Sequence, residues 1–176
     1  NPRLPAIGDV TGPSANRLRI AVCTRSIARE ASPEVTELTH KTAAVLERLG
    51  HHVTAIENPV PERFMDDFLL YWSFLAFALV RGGRRTFGQS FQRSQLDNLT
   101  LGLERHAARR LHRLPAALAR LARIRRVTSR LTASYDIVLT PTLADVTPRI
   151  GHLDPTADYQ QIIDRLIDWV AFTPLQ

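Results

Sequence analysis

Lysine is nearly missing from this chain. Of the 23 basic residues among 176, only Lys41 is lysine, and the other 22 are arginine. Lys41 falls on the charged face of a predicted helix, which makes it a poor candidate for a catalytic base. Cysteine is as scarce: Cys23 alone excludes an internal disulfide and fits a reducing, cytoplasmic compartment. Its place within an apolar strand predicts a buried, unreactive thiol. No apolar run approaches the roughly 18 residues that a membrane span requires, so no membrane partner is expected. The six histidines (His40, His51, His52, His106, His112, His152) show no metal-ligand spacing, and we expect neither metal nor cofactor. A phosphate-cradling glycine loop and a Gly-x-Ser-x-Gly elbow are both lacking. Asp136 and Asp154 read as turn residues rather than as an acid/base pair.

The composition that remains suits one globular domain or one large piece of a bigger one: 44% hydrophobic and 23% charged, with a net charge of +6. We read the arginine skew as a mark of genomic base composition rather than of nucleic-acid binding. The opening Asn1-Pro-Arg-Leu-Pro5 offers neither an initiator methionine nor the basic start and apolar core of a signal peptide, so an interior segment is expected. Residues 1–16, rich in Pro, Gly and Ser, read as an extended connector.

The pattern after the connector is strand, helix, strand. Leu18 to Thr24 form an apolar strand. Ser32-Pro33-Glu34 is a helix start, with Ser32 as N-cap, Pro33 in the first turn and Glu34 favourable to the helix dipole. Val35, Leu38, Thr42, Val45, Leu46 and Leu49 recur at helical spacing, and Gly50 is placed to cap the end. His52 to Ile56 make a second strand, closed by Asn58-Pro59. Such a unit crosses over right-handed and builds a parallel sheet, which defines an α/β class and no function.

Two helical stretches follow. From Phe64 to Leu79 apolar residues are too dense for a one-faced surface helix, so the helix is either buried or lines an apolar cavity, with Gly82-Gly83 as its stop. Residues 92–134 read as one or two helices, kinked or divided at Pro115. Leu103, Ala107, Leu111, Leu114, Leu118 and Leu121 form their apolar stripe. Arg105, Arg109, Arg110, Arg113, Arg120, Arg123, Arg125, Arg126 and Arg130 cover the other faces as an arginine-rich helical layer. That layer is either a phosphate-binding surface or a solvated face; it carries no aromatic residue on which a base could stack.

The stretch from Tyr135 to Pro155 organises the rest. Ile137, Val138 and Leu139 form a short continuous apolar run, as expected of a strand covered on both faces. Thr140-Pro141 stops it, at the carboxyl end where open α/β sheets place their ligands. The Pro- and Gly-broken segment beyond leaves Thr140, Thr142 and Leu143 free to face a cleft, or forms a plain connection with no site. Tyr159, Ile162, Ile163, Leu166, Ile167, Trp169 and Val170 then make a closing amphipathic helix, ended by Thr173-Pro174.

Taken together, three motifs resemble the C-terminal half of the amidase signature family. They are Leu18-Arg-Ile-Ala-Val-Cys23 with Leu46-Glu-Arg-Leu-Gly-His-His-Val53 and Glu57-Asn-Pro59; Tyr135-Asp-Ile-Val-Leu-Thr-Pro-Thr-Leu143 with Ile150-Gly-His-Leu-Asp-Pro155; and Asp168-Trp-Val-Ala-Phe-Thr-Pro-Leu-Gln176. The Ile-Gly-His-Leu-Asp-Pro element is most similar to bacterial enzymes related to the cyclic-dimer hydrolases of aminohexanoate. The resemblance implies a mixed or parallel sheet flanked by helices, with residues 1–176 as a single incomplete domain. It also implies amide hydrolysis by a serine nucleophile, a cis-serine relay and a lysine base. No residue here matches those three, so none is assigned a catalytic role, and the chain alone is expected to be inactive.

What this half would supply is a wall of the substrate cleft. By resemblance Thr140, Pro141, Thr142 and Leu143 line it, with Tyr71, Trp72, Phe74 and Leu75 as apolar lining for the acyl or alkyl part. The implied partners are a small carboxamide or linear amide and the remainder of the amidase chain; open sheet edges further suggest a homo-oligomer. An amidotransferase A-type subunit and a nucleic-acid-binding α/β module built on the arginine-rich helices are the competing readings.

Overall fold

The structure, a computed structural model, describes residues 16–173. The connector read over residues 1–16 therefore lies outside the described residues apart from Asn16. Strands β1 (Arg19–Val22), β2 (His52–Ala55) and β3 (Ile137–Leu139) form one parallel sheet in the order β2-β1-β3. Ile20 pairs with Val53 on one side and with Ile137 on the other. As the central strand, β1 buries Ile20, Ala21 and Val22 almost completely, the pattern of a strand with neighbours on both edges.

Strand β3 departs from expectation. It is not covered on both faces, since Ile137 is 44% exposed and Val138 is also open. The described residues give β3 a neighbour on one edge.

Helix α1 (Pro33–Arg48) begins and ends near where the sequence places it. The Ser32 hydroxyl makes no cap and is buried without a partner among the described residues; its backbone N–H donates instead to the Ala144 carbonyl at 2.7 Å. The far end closes as a Schellman turn. Gly50, at φ 91°, donates to Glu47 O and His51 donates to Leu46 O, a left-handed conformation that a side chain would strain. The apolar stripe of α1 is turned partly away from the expected face, with Val35 packed against the core and Leu46 half-buried. Thr39 and Ala43 are buried, whereas Leu38, Val45 and Leu49 are exposed. The small side chains allow close approach on the inner side, and the bulky ones are left outside.

Helix α2 (Phe64–Phe87) runs through Gly82-Gly83, correcting the expected stop. Gly83 is instead the place where the Phe91 ring occupies the space of a side chain. The helix ends at Gly88. Although apolar nearly all round, it is covered on one side: Leu70 and Val80 are buried, while Tyr71, Leu75 and Leu79 are exposed.

Pro115 divides the next segment rather than kinking it. Helix α3 (Asn98–Ala108) is followed by a 3-10 turn (Leu111–Arg113) and by helix α4 (Leu114–Ser134), with Pro115 in its first turn where no N–H is needed. The break resets the helical phase. Leu103 and Ala107 are buried as expected, but Leu111 and Leu118 are exposed, and α4 buries Ala117 instead.

The arginine layer is not uniformly solvated either. Arg120 reaches Asp67 through two hydrogen bonds of 2.6 and 2.7 Å, joining α4 to α2. Arg81 and Arg93 close on Glu104 at 2.9 and 2.6 Å. Glu104 is 2% exposed; burial opposes its charge, but the hydrogen bonds from Arg93 and Arg81 outweigh that and hold its pKa below the usual range.

Helix α5 (Tyr159–Val170) starts at Asp158, whose carboxylate accepts from the backbone of Gln160 and Gln161, and buries Ile162 and Ile163. Its first residue, Tyr159, packs across Gly102 of α3, where an added Cβ would collide with the ring.

Candidate active site

Leu139 ends the sheet, and Pro141, which has no N–H, turns the chain out of it. Two hydrogen bonds then hold the departing loop. Ala144 donates to the Trp169 carbonyl at 2.9 Å, and the Ala144 carbonyl accepts from Ser32 at 2.7 Å. Ala144 thereby packs with Ala31, Ala171 and Phe172, with Val35 against them, at the junction of the β3 loop, the start of α1 and the end of α5. The Trp169 indole N–H reaches Val146 O at 3.3 Å, and Arg29 bridges Asp145 and Asp168 at 3.9 and 2.7 Å. The loop is pinned at both sides.

This arrangement opens a pocket of about 320 Å³ between the loop and α1. Thr140, Pro141, Thr142 and Leu143 form one wall; Val35, Leu38, Thr39 and Thr42 form the other, and Asp145 stands at its edge. The hydroxyls differ in availability. Thr39 and Thr42 donate back to the carbonyls of Val35 and Leu38 within α1. The Thr142 hydroxyl has no hydrogen-bond partner among the described residues, and Thr142 is exposed. It is the polar group in this pocket free to meet a ligand.

A second pocket, of about 350 Å³ and almost wholly apolar, lies between α2 and α5. Met65, Phe68, Leu69 and Trp72 line it from α2, spaced i, i+3, i+4 and i+7 so that they share one helix face. Leu166, Ile167 and Val170 face them from α5. Of the four aromatic and apolar residues singled out on α2, Trp72 reaches this pocket, whereas Tyr71, Phe74 and Leu75 line neither. Met65, Phe68 and Leu69 do not stand out in a helix apolar nearly all round; the helical period running through Trp72 is the signal that separates them. The two pockets share no residue, so the loop and α2 shape different cavities.

Among the described residues, neither the one cysteine nor the one lysine is placed as a nucleophile or its base. Cys23 is buried and its thiol donates to Arg25 O at 3.1 Å; burial pushes its pKa up, away from a thiolate. Lys41 is paired with Glu37 at 2.7 Å on the exposed side of α1. Among the described residues, no group of three or more His, Cys, Asp or Glu side chains is placed to hold a metal ion. None of the described helices is long and apolar enough to cross a membrane.

A three-stranded parallel sheet with helices packed beside it and a pocket at a strand's carboxyl end makes this an α/β protein. The similarity to a solved 6-aminohexanoate cyclic dimer hydrolase, determined with its substrate, supports that architecture: TM-score 0.68 over 93% of this chain and 36% of that one, at 19% identity. The Amidase family model matches residues 5–176, and the chain belongs to that family. It is 62% identical to AmiC of Mycobacterium leprae, a protein named as an amidase, and 58% identical to AmiC of Mycobacterium tuberculosis. All of this chain is covered in both alignments, and it spans 38% and 37% of those relatives' lengths.

Proposed function

We propose that the protein carrying this segment hydrolyses the C–N bond of a small carboxamide or linear amide in the cytoplasm, and that the segment forms one wall of the substrate cleft. The observation that carries the reading is the pocket at the carboxyl end of β3, whose Thr140–Leu143 wall stands in a chain of the Amidase family. The nucleophilic serine, the relay serine and the lysine base belong to the remainder of the amidase chain. Two features fit this division: the segment spans well under half of its curated relatives, and Lys41 is tied to Glu37.

In this arrangement the Thr142 hydroxyl contacts the polar amide end of the substrate, and the apolar rim of Val35, Leu38 and Leu143 meets its carbon chain. The second pocket, around Trp72, takes longer acyl or alkyl groups.

The test is ammonia or amine release by the full-length protein on carboxamides of graded chain length. Thr142→Val keeps the shape and removes the hydroxyl, so kcat/KM should fall up to about tenfold, the worth of one hydrogen bond. Trp72→Ala should shift the preferred chain length while the melting temperature changes little. Failure of the full-length protein to cleave any member of the series would defeat the reading, and an unfolded Trp72→Ala would make Trp72 a core residue.

A further inference from the structure

The start of α2 and the junction of α3 with α4 enclose a third cavity, of about 260 Å³, whose lining is mostly polar. Arg63, Arg110, Arg113 and Arg120 surround it together with Asp66, Asp67 and His106. Within it, Asp67 is consumed by Arg120, which holds both of its carboxylate oxygens. Arg63, Arg110 and Arg113 form no ion pair among the described residues, and the Arg110 guanidinium reaches only the His106 carbonyl, at 3.4 Å. Among the described residues of the lining, Asp66 is the carboxylate left beside these three. Burial lowers the His106 pKa and Arg110 lowers it further, against an opposing pull from Asp66, and its Nδ1 lies 3.3 Å from the Tyr159 hydroxyl.

We propose that this cavity binds a small oxyanion of the phosphate class. Three arginines without an ion pair line one concave space beside Asp66, which leaves positive charge in excess there. Guanidinium forks match the oxygen spacing of phosphate and carboxylate. A carboxylate presents its two oxygens in one plane, whereas a phosphate or phosphomonoester presents three or four on a tetrahedron and can meet arginines from several directions. No Phe, Tyr or Trp lines the cavity, and its size suits a compact anion rather than a nucleotide. The arginines of this cavity are thus distinct from Arg123, Arg125 and Arg126 further along α4, which lie outside it.

Binding of inorganic phosphate to the full-length protein, followed by calorimetry with chloride replaced to hold ionic strength constant, tests this. Glycerol phosphate serves as the phosphomonoester probe, and acetate as the carboxylate control. Saturable binding of phosphate or glycerol phosphate, tighter than acetate, is expected. Arg63→Gln and Arg113→Gln should each weaken it about tenfold or more, as loss of a charge-assisted hydrogen bond does, and Arg126→Gln should leave it unchanged. Arg63 and Arg113 are exposed and make no side-chain hydrogen bond among the described residues, so both variants should fold. Absence of saturable binding, equal binding of acetate, or equal weakening by Arg126→Gln would overturn the proposal. The first of these would mean that the cavity is filled by another part of the protein.

Discussion

The Arg120 guanidinium grips both carboxylate oxygens of Asp67, at 2.6 and 2.7 Å, and Asp67 is only 5% exposed. The pair joins the first turn of α2 to the middle of α4 across 53 residues of chain. Removing Arg120 leaves the buried Asp67 carboxylate without its partner, whereas replacing both with apolar residues leaves a surface that can pack.

Arg120→Leu should therefore lower the melting temperature, because the Asp67 carboxylate stays buried and unpaired. The double variant Asp67→Leu/Arg120→Leu should be more stable than Arg120→Leu alone. Thermal denaturation of the set decides the matter, and a double variant no better than the single would show that the pair is not coupled.

The contact of Tyr159 with Gly102 is one of shape. A methyl group at Gly102 would meet the ring and also lie 2.8 Å from the Tyr159 Cβ, so the helices must separate. Gly102→Ala should cost about 1–3 kcal/mol, as overpacking does, despite alanine's better helix propensity. In Gly102→Ala/Tyr159→Ala the collision with the ring is gone and only the 2.8 Å approach to the Cβ of residue 159 remains, so the double variant should lose less than the sum of the two single losses in urea titrations.

Glu104 predicts an acid-sensitive step. Its folded pKa is depressed below the ordinary 4.5 by hydrogen bonds from Arg93 and Arg81, against the opposing effect of burial. A depressed carboxyl contributes stability that is complete above its unfolded pKa and is lost as pH falls through the folded one. Unfolding free energy should thus drop below about pH 4.5, more steeply in the parent than in Glu104→Gln. Parallel pH profiles for the two would remove Glu104 from the account.

Cys23 should be silent in the native state. Burial raises its pKa and its thiol already donates to Arg25 O. A disulfide reagent at neutral pH should label it slowly, and quickly only after denaturation; rapid native labelling would show that the strand end opens.

Legibility followed the range of the interactions involved. The strand-helix-strand start, the Gly50 turn and the Asp154–Thr156 turn at 2.9 Å depend on neighbours in sequence, and each was readable there. The direction in which α1 faces was not. Leu38 and Leu49 keep a perfect helical spacing, yet Thr39 and Ala43 are the residues turned inward. A period fixes which residues share a face without saying which face has something to pack on. The stop expected at Gly82-Gly83 failed for the same reason: Phe91, eight residues further on, needs the space at Gly83, and helix propensity contains no term for that.

The candidate site divides along the same line. Local chemistry alone determined that the chain leaves the sheet at Thr140-Pro141, since proline cannot continue the ladder, and the motif order resembled the amidase family. Tertiary structure decided that this loop and α1 make one pocket while Trp72 joins α5 in another. It also decided that Asp67 and Arg120 are partners and that Arg63, Arg110 and Arg113 face a single cavity. Backbone stereochemistry acts over a few residues and is written directly in the chain. Burial and the meeting of charges depend on which distant surfaces come together, and that is settled when the helices pack.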